Sequence, residues 1–149
     1  MKNIMMLSLL LLLFSACSKD DDNVDYAAID KEIIQEYLQQ NDLPAEEHPS
    51  GLFYHIKSEG SGYKVPPGAK VLASYTGKFL DGKVFDQGRL DYYPLSRLIT
   101  AWQIGIPLLK KGGEATFYCP SGLAYGSKGA GSIPPNTVLI FEIKVIDFE

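Results

Sequence analysis

Residues 71–86 read Val71-Leu72-Ala73-Ser74-Tyr75-Thr76-Gly77-Lys78-Phe79-Leu80-Asp81-Gly82-Lys83-Val84-Phe85-Asp86. Val71, Ala73 and Tyr75 alternate with Leu72, Ser74 and Thr76, and a period of two belongs to a strand that buries one face. Asp81-Gly82 is a tight-turn pair, because both residue types tolerate the left-handed backbone that such turns demand. The chain therefore doubles back, and Val84-Phe85-Asp86 is the return strand. The unit is an antiparallel hairpin with an aromatic-rich face.

The same period recurs on both sides of it. Leu52, Tyr54 and Ile56 alternate with Phe53, His55 and Lys57, and Glu114 to Cys119 places Ala115 and Phe117 on the face of Cys119. Thr137 to Phe148 is the longest strand candidate. Between them, Leu98 to Gly105 predicts a short helical turn carrying Leu98, Ile99 and Trp102. Tyr118 to Asn136 is a long Gly- and Pro-rich loop, and loops of that length inside a compact domain usually serve function. The class is α+β: an antiparallel sheet with one short helix covering its concave face.

Upstream, Asp25 to Asn41 predicts an amphipathic helix outside the sheet. Ile29, Ile33 and Tyr37 recur every four residues, Ile34 and Leu38 widen the stripe, and Asp25 is the N-cap. The stripe is expected on the chain's own domain; a partner subunit or a substrate would bury it equally well. Residues 25–48 are read as this helix and a Pro-containing connector, and residues 49–149 as the main domain.

The first residues carry a different signal. Lys2 precedes an apolar run from Ile4 to Phe14, broken only by Ser8. It is too short for a bilayer span, which takes roughly 20 residues. Ser15 and Ala16 suit a signal peptidase, and Phe14-Ser15-Ala16-Cys17 resembles a bacterial lipobox, with Phe14 where Leu is usual. Residues 1–16 are then a lipoprotein signal peptide and Cys17 is acylated; the alternative is an ordinary secretory signal with an incidental cysteine. Residues 17–24 form an acidic tether, whose Asp20-Asp21-Asp22 resembles a surface-export signal of Gram-negative lipoproteins and equally fits a plain solvated linker. The expected location is the cell envelope of a Gram-negative bacterium, lipid-anchored at the outer membrane.

Composition narrows the chemistry. A hydrophobic fraction of 46% against 21% charged residues describes a folded globular chain. A net charge of −4 without a basic stripe argues against nucleic-acid binding. Cys17 and Cys119 lack metal-ligand spacing, so no metal site is read; with Cys17 acylated, Cys119 is a buried small hydrophobe. His48 and His55 are isolated, and no hydrolase, P-loop or dinucleotide motif is present. What remains is aromatic and aliphatic residues at turns beside Gly/Pro-rich loops, which suits a reaction needing no nucleophile.

From Gly51 to Phe148 those residues fall into a familiar order. Tyr75-Thr76-Gly77, Asp81-Gly82 and Val84-Phe85-Asp86 are followed by Leu98-Ile99-Thr100-Ala101-Trp102, Leu123-Ala124-Tyr125-Gly126, Gly131-Ser132-Ile133-Pro134-Pro135-Asn136-Thr137 and Leu139-Ile140-Phe141-Glu142-Ile143. This series resembles the FKBP-type peptidyl-prolyl cis/trans isomerases. The resemblance implies a sheet wrapped around a short central helix and catalysis of X-Pro rotation without metal or cofactor. It makes Trp102 a pocket floor, Tyr75, Phe85, Ile99 and Phe141 its walls, and Asp86, Tyr125 and Ile133 its rim. Leu98 lies beside Ile99, whose N–H faces the bound carbonyl. Taken alone, Asp86 could instead satisfy loop N–H groups, and Tyr125 could simply anchor its loop. Ala101 stands where the family has Gly. The segment Tyr92–Arg97 is about two residues short, so the second wall aromatic aligns to Asp91 or to Tyr92. The implied partners are proline-containing polypeptide clients, rapamycin-like macrolides and, through Cys17, a membrane. A binding or chaperone module with little turnover is the alternative.

Overall fold

In the computed structural model, which describes residues 24–149, the hairpin forms one edge of a six-stranded antiparallel sheet. Its arms are β4 (Lys70–Lys78) and β5 (Val84–Pro94), and the turn between them is closed by Lys83 N–H donating to Asp81 Oδ1 at 2.8 Å, with Gly82 at φ +85°. The other strands are β1 (Glu46–Glu47), β2 (Phe53–Ser58), β7 (Glu114–Cys119) and β8 (Leu139–Phe148), in the order β1-β2-β7-β8-β4-β5. A separate pair joins β3 (Ser61–Lys64) to β6 (Lys110–Lys111).

The alternation sorts side chains onto two faces. Val71 and Ala73 of β4, Ala115, Phe117 and Cys119 of β7, and Leu139, Phe141, Ile143 and Val145 of β8 form one core with Trp102 and Ala101 of the short helix α2 (Thr100–Gly105). Each large apolar side chain buried this way contributes about 1.5–3 kcal/mol. Gly105 permits the close fit: a Cβ there would lie 2.6 Å from the Phe117 ring. Cys119 is fully buried, and burial pushes its thiol pKa far up, so it packs as a small hydrophobe.

The opposite face carries the N-terminal helix α1 (Tyr26–Gln40). Asp25 caps it, its Oδ1 accepting from the N–H groups of Ala27 and Ala28. Ile34 is fully buried beside Phe53, Tyr118, Val138 and Ile140, with Tyr37 and Leu38 at the margin. The helix thus docks on its own domain, but with a rotated face. Ile29 and Ile33 remain 41% and 38% exposed, whereas Asp30 is 1% exposed. No described helix is long and apolar enough to cross a membrane. Cys17, the signal segment and residues 17–23 of the tether lie outside the described residues.

Candidate active site

Strand β4 brings Tyr75 to the concave face, opposite Gly88 of β5. Gly88 is bare, so the Tyr75 ring lies across it, and the hydroxyl donates to Asp86 Oδ2 at 2.9 Å. Burial, then this carboxylate, raises the Tyr75 pKa to about 12. Strand β8 supplies Phe141, and α2 supplies Trp102, which is 4% exposed. The three rings meet edge to face: Tyr75–Trp102 at 5.0 Å and 68°, and Trp102–Phe141 at 5.1 Å and 89°. Phe85 stands on Phe141 at 5.7 Å and 88°. Gly77 makes room for both, since a Cβ there would lie 2.6 Å from Phe85 and 2.9 Å from Phe141.

Two irregularities in β5 aim its side chains. Gly77 and Lys78 pair with Asp86 and Val84, so Phe85 is the unpaired residue of a bulge. Val71 and Ala73 pair with Tyr93 and Leu90, leaving Asp91 and Tyr92 opposite Leu72 alone. Between the bulges the period of two holds, and Asp86, Gly88 and Leu90 share the concave face.

These elements enclose a cleft of about 120 Å³ lined by Tyr75, Asp86, Leu90, Leu98, Ile99, Trp102, Tyr125 and Phe141. Seven of these were named from the sequence. Phe85 supports the wall from behind Phe141. Ile133, expected at the rim, is 8% exposed within the main core and exchanges backbone hydrogen bonds with Ala130; it does not line the cleft. Tyr92 is the clear correction. It sits in the second bulge at φ +44°, and its hydroxyl donates to Asp147 at 3.1 Å. Asp147 lies six residues past Phe141 on β8, roughly 20 Å along the strand. The wall position belongs to Leu90, which follows Asp86 and Gly88 at the same spacing. Extending the alternation past Asp86 would have found it.

The donors lie on the other side. Ile99 is the extended N-cap of α2, and its N–H has no hydrogen-bond acceptor among the described residues. Tyr125 follows the 3-10 turn Ser121–Leu123; burial, then the Asp86 charge, raises its pKa, so it stays a donor at neutral pH. Trp102 Nε1 is buried and, among the described residues, unpaired. Ala101 is fully buried in α2. A larger groove of about 620 Å³ lies between the start of α1 and residues 120–127, but it lacks the ring cluster.

The class these features define is an antiparallel sheet wrapped around one short helix, with an aromatic-floored cleft between them. A family model described as FKBP-type peptidyl-prolyl cis-trans isomerase matches residues 62–146, and the chain belongs to that family. The chain is 44% identical over 102 residues to a probable FKBP-type peptidyl-prolyl cis-trans isomerase FkpA of Neisseria meningitidis, covering 65% of this chain and 38% of that protein. The crystal structure of FkpA from Escherichia coli superposes with a TM-score of 0.72 at 30% identity, covering 83% of this chain and 61% of that one. That of AtFKBP13 gives 0.66 at 34% identity, covering 71% and 99%. The chain spans less than half the length of the curated relatives it matches first.

Proposed function

We propose that this domain is a peptidyl-prolyl cis/trans isomerase that accelerates X-Pro rotation in polypeptide clients outside the cytoplasm. The observation that carries the reading is the edge-to-face cluster of Tyr75, Trp102 and Phe141 under a cleft whose rim holds two hydrogen-bond donors. An X-Pro bond resists rotation by about 18–20 kcal/mol because resonance gives C–N double-bond character. In the twisted state that resonance is lost and the carbonyl is less dipolar. Water favours the planar, more dipolar form, and an apolar cleft removes that advantage. Trp102, Phe141 and Leu90 seat the proline ring by burial. The Ile99 N–H and the Tyr125 hydroxyl hold the preceding carbonyl while the bond turns. Binding the twisted form better than either planar form is sufficient.

Rapamycin-like macrolides are expected ligands, their pipecolyl ring lying over Trp102 as a proline does. The test is exchange of a Leu-Pro peptide by the full chain with and without such a macrolide. Catalysis that the macrolide abolishes supports the reading; no acceleration over background at micromolar protein sinks it. A second reading, a proline-binding module with little turnover, is favoured by the aliphatic Leu90 wall, and it predicts macrolide binding without catalysis.

The anchoring remains part of the proposal. Its support is the short apolar run ending in Ser15-Ala16-Cys17 and the acidic residues after it. Acylation of Cys17 would hold the domain at the envelope, at the outer membrane. Loss of Lys2 with the signal takes the net charge from −4 to −5, so attachment relies on lipid and not on attraction to anionic headgroups.

A further inference from the structure

The carboxylate of Asp30 is buried on α1, and nothing in the isomerase chemistry uses it. Its Oδ2 accepts two short hydrogen bonds, from Ser121 N–H at 2.7 Å and from Ser121 Oγ–H at 2.6 Å. Ser121 opens the 3-10 turn that delivers Tyr125 four residues later. The turn is continued by Ala124 N–H donating to the Ser121 carbonyl at 3.0 Å. Beyond Tyr125, the Gly126 carbonyl accepts from Asn136 N–H at 2.8 Å. The segment carrying the donor is therefore pinned at its far end by Asn136, just before β8, and at its near end by a helix on the opposite face of the sheet.

Helix α1 does not need this carboxylate in order to dock. Ile34 already anchors it in an apolar cluster. A buried carboxylate is a poor source of stability compared with an apolar side chain of similar size, because desolvation offsets most of its attraction. What two directional bonds to one residue supply is position. We infer that Asp30 is a positioning residue for catalysis: it sets the height of the Tyr125 loop over the cleft, making α1 part of the isomerase machinery. The inference rests on the isomerase reading for its effect on rate, though not for its effect on the loop.

The experiment measures kcat, KM and melting temperature of the full chain for wild type, Asp30→Ala, Asp30→Asn, Ser121→Ala, Ile34→Ala and Tyr125→Phe, and for Asp30→Ala combined with Tyr125→Phe. Asp30→Ala is expected to lower kcat/KM about fivefold, mainly through kcat, since the carbonyl donor is displaced. Asp30→Asn keeps an oxygen acceptor and restores most of that rate. In the Tyr125→Phe background the loss falls below about twofold, because no hydroxyl is left to misplace. Ile34→Ala loosens the same helix but keeps both bonds to Ser121, so it lowers the melting temperature while lowering kcat/KM less than Asp30→Ala does. Should Asp30→Ala fail to fold, Ser121→Ala removes one of the two bonds and carries the same test at about half the effect. Losses that multiply fully in the double variant, or a fall in melting temperature without a fall in rate, overturn the inference. Amide exchange decides independently of turnover: faster exchange at Ala124–Gly126 in Asp30→Ala is expected, and unchanged protection overturns it. If the wild type does not catalyse at all, the isomerase reading fails while the exchange measurement still decides whether Asp30 positions the Tyr125 loop.

Discussion

Replacing Phe141 by Leu separates burial and shape from charge as the source of catalysis. Phe141 is 2% exposed and meets Trp102 at 5.1 Å and Phe85 at 5.7 Å, both edge to face. Leu keeps most of the buried area but loses both ring contacts, each worth about 0.5–1.5 kcal/mol, so the fold should lose about 1–3 kcal/mol. At about 4 °C per kcal/mol for a domain of this size, the melting temperature should fall by about 4–12 °C. In the twisted state the proline ring loses one of these edges, and kcat/KM should drop about 2- to 10-fold. Asp86→Asn is the comparison. It keeps an oxygen for the Tyr75 hydroxyl, so kcat/KM should change less than about twofold. Both variants are assayed on a Leu-Pro peptide at a temperature where circular dichroism shows each folded. A larger loss in Asp86→Asn than in Phe141→Leu would refute the claim that an apolar wall, not the carboxylate, carries the rate.

Leu90→Ala should weaken macrolide binding several-fold, read by the fluorescence of Trp102, the only tryptophan, whereas Tyr92→Ala should leave it unchanged; the reverse pattern would mean that Tyr92 reaches the cleft. Tyr125→Phe should lower kcat/KM several-fold without unfolding the chain; no loss assigns the carbonyl to the Ile99 N–H alone. Because burial and Asp86 raise both tyrosine pKa values, that of Tyr75 to about 12, kcat/KM should be flat over roughly pH 6–9, and a bell centred near neutrality would contradict the mechanism. The same raised value works on stability with a definite sign: the support from Tyr75 is fully present below the ordinary tyrosine pKa of about 10 and is lost as pH rises through about 12. Intact mass of membrane-extracted protein should show an acylated Cys17 at the N-terminus, and an unmodified Cys17 would remove the anchor.

The hairpin was legible because alternation and a turn pair state the same thing at two levels. Val71, Ala73 and Tyr75 do face the core side, and Gly82 does take the left-handed conformation. The far half of β5 was not legible, because a bulge carries no residue signature when its strained position is a Tyr and not a Gly. Tyr92 at φ +44° breaks the period, so counting back from the Arg97 end lands on a wrong wall residue, whereas counting forward from Asp86 reaches Leu90. Helix α1 and its Asp25 cap were legible, but the centre of its docked face was not. The apolar stripe centres on Ile29, Ile33 and Tyr37, with Ile34 and Leu38 at its edge. The docked face instead runs through Asp30 and Ile34, since Asp30 finds its two donors on a loop 91 residues away. A buried polar partner at that separation leaves no local pattern.

On the proposed isomerase reading the site moves no proton and forms no bond and has only placement to work with, which accounts for where the irregular backbone lies. The bulge at Phe85 turns one strand so that Phe85 braces Phe141 while Asp86 reaches Tyr75. The bulge at Asp91 and Tyr92 ends the wall at Leu90. Gly77 and Gly88 are bare at the two points where rings must cross the sheet. None of these features improves the sheet as a sheet, since each interrupts pairing or forgoes a packed side chain. Together they set Tyr75, Phe85, Asp86 and Phe141 along one side of a volume of about 120 Å³, with the two donors on the other. Size alone would have pointed to the groove of about 620 Å³ beside α1. The smaller cleft is the better candidate because interlocked rings wall it and two donor-bearing residues line it, and catalysis by shape depends on both.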